Sequence, residues 1–398
     1  MRIVVSGLIA TYPLGGVAWD YAQYAAGLQR LGHDVLYLED TGHWLYDTVN
    51  QTYTDDASNN AEYLAGVMRL FGLADHWSLR DPKDRYWGRS ETEVADWCAG
   101  ADLVLNISGS LWPREAYQKA RCKVYLDSDP AYTQAKIRRV LEGQPGPNEA
   151  YSLQCMRLHD RFFTFGENIG QPDCPIPMDE FKWRPTRQPI LLDGWNNPKS
   201  ETESARPAKQ IQNPKSPWTT VMSWKIDERP PEIAGCVLGA KDREFEQFME
   251  LPRRAGVPLE LAVSGRAPRE TLAANGWRLT EGQAVSSNAE IYRDYILRSR
   301  GEWSVAKQAY VATRSGWFSC RTACYLAAGK PAVVQDTGWS KFYPAGRGLF
   351  AFSTLDEAAA GIAAVERDYA VHCRAAREVA AEFFDAGKVL KKLLADCC

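Results

Sequence analysis

The chain has 398 residues, 45% of them hydrophobic and 24% charged, with a formal net charge of −3 and a pI of about 6.1. It is too long for one small core and suits two domains of ordinary size. The charge balance excludes a global pull toward nucleic acid or anionic membrane, although 47 Lys and Arg leave room for a local basic groove.

The opening MRIVVSGLIA is a short apolar run with one charge. It lacks the length and cleavage pattern of a signal peptide and reads as a buried first strand. A Pro-Leu-Gly-Gly loop at 13–16 precedes a helical pattern, WDYAQYAAGLQRLGH, with apolar positions at Tyr21, Tyr24, Ala25 and Leu28 and with Gly32 as its stop. DVLYLED is then a second strand. Strand, loop, helix and strand make the unit of a parallel α/β sheet. ADLVLNISG, CKVYLDSDP and RFFTFGENIG repeat the theme more loosely, each a strand running into a polar or glycine loop. Ligands of open parallel sheets bind outside the carboxyl ends of the strands, which makes these three loops the places to look.

Residues 184–218 change character, with Pro, Asn, Lys and Ser dominating, and read as a linker or inter-domain excursion. A second α/β set begins at WTTVMSWKI and continues through a helix over KDREFEQFMELPRRAG, a strand PLELAVSG and a helix near PRETLAANG. The stretch from DEAAAGIAAVERDY to the C-terminus is largely helical by propensity and period. Two sequential α/β halves predict a bilobal molecule whose inter-lobe cleft is the default ligand site. No segment approaches the ~18–20 uninterrupted apolar residues of a membrane span. A cytoplasmic protein without integral membrane association is expected. The ten cysteines are scattered, without CxxC pairs or zinc spacing, and only five histidines are present. Reduced thiols and no metal site are therefore expected.

The densest chemistry lies in RSGWFSCRTACYLAAGKPAVVQDTG, residues 314–338. Ser315, Gly316, Ser319, Arg321 and Thr322 lead into a helix-forming ACYLAAG. A helix N-terminus carries unpaired amides and partial positive charge, a ready anion site. Gly316 lets backbone approach an anion, Ser319 or Thr322 can cap the helix or bind phosphate oxygens, and Arg314 or Arg321 can neutralise charge. Plain capping by Ser319 with exposed arginines is the competing reading.

GKPAVVQDTG resembles the late block of GT-B glycosyltransferases, and PLGGVAWDYAQYAAGLQRLGHDV resembles their opening, where a Gly-Gly loop precedes a helix ending in Gly-His. Sixteen positions separate Gly16 from Gly32, as in the Gly-Gly branch of the fold. The resemblance spans both halves of the chain and extends to a bacterial or phage-type subgroup. It implies an α/β fold of two Rossmann-like lobes facing a central cleft. The acceptor-side lobe is expected over 1–185, a linker over 186–218, the nucleotide-sugar lobe over 219–374, and a C-terminal helix (375–398) crossing back to the first lobe. Residue by residue, Gly15 and Gly16 match the loop beside the donor diphosphate. Ser223 and Lys225 stand where the second lobe opens with Gly-Arg, and Lys241 stands near the phosphate-neutralising lysine. Asp336 and Thr337 match the loop that touches donor sugar or acceptor. One departure stands out: five residues before Gly329, where many members carry a ribose-binding Glu, this chain has Cys324. Glu302 is the candidate substitute.

For an acceptor-activating carboxylate, Asp127 and Asp129 in LDSDP and Asp20, placed in the first turn of the first helix, are the candidates. An Asx turn before Pro130 is the alternative for Asp129. FGENIG offers Glu167 and Asn168 to the cleft, or a simple turn. The function implied is metal-independent sugar transfer from a nucleotide sugar, UDP-glucose first, to a small-molecule or glycan hydroxyl, with no separate cofactor. The alternatives are glucosylation of hydroxymethylated bases in DNA, using Lys and Arg around 184–243, a nucleotide-sugar epimerase or hydrolase of the same fold, and a bilobal binding protein without turnover. A dehydrogenase is disfavoured, because the first loop lacks GxGxxG.

Overall fold

The computed structural model describes residues 1–196, 216–225 and 229–397. Two parallel sheets dominate it. Across the first lie Trp183–Pro185, Arg161–Thr164, Cys122–Asp127, Leu103–Ile107, Arg2–Ser6, Asp34–Glu39, Trp77–Arg80 and Tyr86–Gly88. Only the last edge strand is antiparallel to its neighbour. Across the second lie Arg278–Glu281, Leu259–Ser264, Trp218–Ser223, Gly301–Ser304, Ala332–Gln335 and Leu349–Phe352, all parallel. Counted in chain order, the second sheet reads 3-2-1-4-5-6 and the seven parallel strands of the first read 3-2-1-4-5-6-7. Both are Rossmann-type orders, which reverse direction beside the first strand.

The central strands are buried on both faces, so their sequences are continuous apolar runs. Ile3, Val4 and Val5 are 0% exposed and pair with Val35, Leu36 and Tyr37 on one side and with Leu103, Val104 and Leu105 on the other. The expected strands at the lobe centres are all present. Those at 77–80, 278–281, 301–304 and 349–352 carry too many polar residues, or are too short, to read as apolar runs. The single helix expected over KDREFEQFMELPRRAG is broken into Lys241–Phe245, a 3-10 turn Glu246–Phe248 and Leu251–Ala255. Pro252 has no amide to continue a helix, and Gly256, at φ +66°, ends the last piece.

The first helix, Gly15–Arg30, begins four residues before the Trp19 that opens its expected pattern, so Gly15 and Gly16 lie in its first turn instead of a loop. Asp20 consequently falls in the second turn. The helix is buried on most of its surface and is rich in alanine and glycine, which lets three neighbours press close: its own sheet, the helix Ala289–Arg298 of the second lobe and the C-terminal helix Ala386–Cys397. A Cβ on Gly27 would lie 2.5 Å from Leu390 Cδ1. The ~1 kcal/mol that a mid-helix glycine costs is offset by this approach.

The first third of the expected linker is packed. Leu191 N–H donates to Gln23 Oε1 (2.9 Å), Ile190 N–H to the Phe384 carbonyl (2.7 Å) and Gln188 Nε2 to the Phe318 carbonyl (2.6 Å), while Trp195 is 0% exposed. Residues 197–215 of it lie outside the described residues, and Trp218, its expected last residue, already opens the strand Trp218–Ser223. One apolar cluster runs from the first strand through Trp19, Trp195 and Tyr292 to Phe318, Trp339, Phe384 and Leu390, so a single core joins the lobes.

Leu390→Ala should lower stability by ~2–5 kcal/mol, because it empties the contact with Gly27 on the first helix. A thermal or urea melt of the purified variant measures it, and a change within error would mean the C-terminal helix does not hold the first lobe.

Candidate functional site

The carboxyl ends of both sheets meet at the seam between the lobes, a closed crevice bridged by Asp129 with Lys307 (2.8 Å) and by the Asn168 N–H on the Ser315 carbonyl (3.0 Å). In the second lobe the order reverses between Trp218–Ser223 and Gly301–Ser304, and beside that point the helix Cys320–Ala327 presents its N-terminus. A cavity of about 20 Å³ lies there, lined by Ser304, Ser319, Arg321, Thr322, Gln335 and Thr337. It has room for about one water.

The motif residues divide into two groups. Ser319 occupies the N-cap position in extended conformation, yet its hydroxyl makes no cap bond, so it and the first-turn amides remain open to the cavity. Thr322 is buried in the first turn and lines the same space. Ser223 and Lys225, at the end of the central strand, are exposed, and Lys225 has no ion-pair partner among the described residues. The others hold the lobes together. Ser315 is wholly buried in a turn, its Oγ accepting from Trp317 N–H (3.2 Å), and its carbonyl accepts from Asn168 N–H of the first lobe (3.0 Å). Gly316, at φ +77°, is required by that approach: a Cβ would lie 2.6 Å from Asn168 N. Arg314 pairs with Asp173 (2.8 Å), away from the cavity. Gly15 and Gly16 donate to the Ser286 carbonyl (2.6 Å) and Oγ (3.4 Å), and Tyr292 packs over Gly16. Both glycines therefore seat the second lobe on the first, where an amide face toward an anion was expected.

Arg321 and Glu302, expected to meet phosphate and ribose, meet each other. Nε of Arg321 is 2.6 Å from Oε1 of Glu302, which is 0% exposed, and Nη1 donates to the Val221 carbonyl (2.6 Å). The other Glu302 oxygen has no hydrogen-bond partner among the described residues. A half-buried lysine, Lys241, stands near this pair and near Lys307, itself paired with Asp129 at 2.8 Å. Lys241 has no ion pair within 4.0 Å among the described residues. Burial first, then the like charges of Arg321 and Lys307, push its pKa down to about 7. It is a cation without a counter-ion in a poorly hydrated place.

The carboxylates separate as clearly. Asp127 is 1% exposed and accepts from Thr133 Oγ1 (2.7 Å), Gln134 Nε2 (3.0 Å), Thr164 Oγ1 (2.9 Å) and the Asp129 amide (3.1 Å), so it organises its loop and is unavailable as a base. Asp129 bridges to the second lobe through Lys307 and the Tyr310 hydroxyl. Asp336 accepts from Gly338 and Ser340 and shapes its own turn, whereas Thr337 donates to the Trp317 carbonyl and lines the cavity. Glu167 is held by Arg187 (2.8 Å) and Tyr343, and Asn168 by the Arg314 carbonyl (2.8 Å). That leaves Asp20. Half-buried on the first helix, it accepts from the thiol of Cys320, the first residue of the helix Cys320–Ala327, and burial raises its pKa to about 6.

Lys307, Tyr310, Trp317 and Tyr292 also border this crevice and were not singled out by sequence. They lie outside the recognised motifs, and only the apposition of the lobes gives them a role. Among the described residues no group of three or more His, Cys, Asp or Glu side chains could hold a metal ion, none of the nine described cysteines is in a disulfide, and no helix is long and apolar enough to cross a membrane. Of the basic residues considered for a DNA groove, Arg184 binds the Asp396 carbonyl and Arg187, Arg253 and Arg254 bind Glu167, the Ala274 carbonyl and Asp356. The cluster within 197–215 lies outside the described residues.

No protein-family model matches the sequence, and no curated protein sequence is significantly similar to it. Solved structures are similar along the whole chain. Anabaena HepE in complex with UDP-glucose shares 11% identity, with 99% of this chain and 98% of that one covered and a TM-score of 0.57. AviGT4, a glycosyltransferase involved in avilamycin A biosynthesis, shares 12% identity over 99% and 96% of the chains at a TM-score of 0.50. Sucrose-phosphate synthase from Thermosynechococcus elongatus shares 10% over 100% of each chain, also at 0.50. The fold is GT-B.

Inorganic pyrophosphate should bind at this helix mouth and should lose affinity as pH rises through about 7, where free Lys241 gives up its proton. A bound anion favours the charged lysine, so binding just above that pH should take up a proton. Titration calorimetry in buffers of differing ionisation heat reads the uptake, and Lys241→Ala should abolish it.

Proposed function

We propose that the protein is a glycosyltransferase that moves a hexose from a nucleoside diphosphate, UDP-glucose first, to an acceptor hydroxyl. The carrying observation is the uncapped mouth of Cys320–Ala327 with the unpaired Lys241 beside it, set where the second lobe's strand order reverses. Amide dipoles and a desolvated cation in a water-poor slot stabilise the negative charge that develops on a departing diphosphate. HepE, with the same fold, was solved holding UDP-glucose. That likeness supports the donor class.

In the proposed reaction the acceptor oxygen bonds to the anomeric carbon as the bond from that carbon to the diphosphate oxygen breaks. The diphosphate leaves with the bonding pair onto the helix amides, Ser319, Thr322 and Lys241. The acceptor's proton goes to Asp20, the one candidate carboxylate whose only side-chain partner is a thiol. At a pKa of about 6, Asp20 is ionised at neutral pH and still basic enough to serve. A diphosphate beside it raises that value further. Residues 1–185, with the returning C-terminal helix, form the acceptor side in this reading, and residues 219–374 form the donor side. Because Lys241, Lys225 and the helix amides supply the positive charge, transfer is expected to proceed without a divalent ion. The present cavity is far smaller than a nucleotide sugar, so donor entry requires the crevice to widen against the Asp129–Lys307 contact.

A screen of nucleotide sugars, read as nucleotide release with and without acceptors and repeated with a chelator, tests the reading. Release that needs an acceptor and survives the chelator is expected. Release of equal rate without an acceptor would mark a hydrolase or epimerase instead. Asp20→Asn should lower kcat at least about a hundredfold, the usual worth of a general base, and should remove the fall in activity on acidification through pH about 6. An unchanged acid limb in the variant would take Asp20 out of the reaction.

A further inference from the structure

A second cavity, of about 260 Å³, lies wholly within the first lobe at the carboxyl ends of Leu103–Ile107 and Cys122–Asp127. Its wall touches the donor side. Ser108, which lines it, accepts from Tyr21 Oη (3.0 Å), the residue after Asp20, and shares a hydrogen bond with Ser128 Oγ (2.6 Å). The Ser128 carbonyl in turn accepts from Trp317 Nε1 (3.2 Å), which borders the cavity at the helix mouth.

The lining mixes rings with open polar groups. Trp112 is fixed by its backbone N–H donating to the Asp40 carbonyl (2.6 Å) and by contact with Gly42, where a Cβ would run into its ring. Tyr151 leans on it, ring centroids 5.3 Å apart, and is 40% exposed. Lys136, Asn148 and Ser152, all exposed, line its rim, and their side chains make no hydrogen bond or ion pair among the described residues, so water solvates them. His43, also in the lining, meets Trp112 edge-on at 6.3 Å, and outside the cavity Trp44 is 58% exposed and Tyr53 is 52% exposed.

Resting on the transferase reading above, we propose that the acceptor is a glycan chain. Its terminal pyranose occupies this cavity, and its following units lie along the ridge of His43, Trp44 and Tyr53. The C–H bonds on one face of a pyranose carry partial positive charge and suit the negative face of an aromatic ring. Its hydroxyls replace the water on Lys136, Asn148 and Ser152 at the rim. An aromatic or lipid acceptor would displace that water without replacing its hydrogen bonds. The volume is also just below the ~300–1,000 Å³ of pockets that enclose drug-sized ligands, which fits one sugar ring and little more.

The test uses the intact protein with UDP-glucose and three acceptor sets: methyl glycosides of common hexoses, linear oligosaccharides of the same sugars, and simple phenols. Oligosaccharides should be the best acceptors. Tyr151→Ala, at a half-exposed site that the fold does not need, should raise the acceptor KM about tenfold, the scale of one ring contact, while the KM for UDP-glucose stays as in the parent enzyme. Trp44→Ala should weaken oligosaccharides but not methyl glycosides. Trp112→Phe, which keeps a ring, should largely retain activity where Trp112→Ala loses it. Phenols outperforming every sugar, or a Tyr151→Ala enzyme with unaltered acceptor KM, would overturn the inference. Saturation-transfer NMR with the oligosaccharides separates it from the donor reading. Glycan binding lost in Tyr151→Ala without any UDP-glucose turnover would sink the donor reading alone. UDP-glucose turnover without glycan binding would sink this inference alone.

Discussion

The buried ion pair between Glu302 and Arg321 is the contact on which the site depends. Glu302 sits in the strand Gly301–Ser304 with no exposure, and Arg321 joins it to the Val221 carbonyl of the neighbouring strand. The pair thereby ties the first turn of Cys320–Ala327 across the strand reversal of the second sheet. Removing one member of such a pair costs about 3–5 kcal/mol, because a charge is left buried and alone. With the helix held in that attitude, its positive end faces the crevice. With Arg321 neutralised, the net cationic character falls to Lys241.

Around this point the lobes meet through an apolar seam rimmed by polar contacts. Trp19 packs on Trp195 with ring centroids 4.4 Å apart and donates through Nε1 to the Ala289 carbonyl, and Phe318 stacks on Phe384 at 5.1 Å. Asp129 with Lys307, Asn168 with Ser315, and Asp173 with Arg314 and Lys341 close the rim. Such closure removes water from the helix mouth and strengthens every charge interaction there. It also explains why Asp20 and Lys241 are displaced in opposite directions toward neutrality: each is a charge that burial disfavours and that no full counter-ion restores.

The fold was largely legible because its central strands are buried on both faces and so cannot avoid continuous apolar sequence. The first helix, the Gly32 stop and the Ser319 boundary were legible for the same local reasons. Strands such as Arg278–Glu281 were not, since an edge strand with one wet face carries little apolar signal. In the candidate site, the small polar residues at 315–322 were found by pattern, but their duties were not. Ser315 and Gly316 serve the contact between lobes, and Ser319 and Thr322 serve the cavity.

The sequence by itself determined the periodicities, the stop at Gly32, and the position of a helix mouth beside a buried strand, because each of these is set by neighbours a few residues away. Tertiary structure alone decided which charges cancel. Glu302 meets Arg321 nineteen residues on, Asp129 meets Lys307 across 178 positions, and Asp20 meets Cys320 across the whole molecule. Ion pairing in a water-poor crevice depends on distances of a few ångströms, and those distances exist only after two sheets have been folded and pressed together.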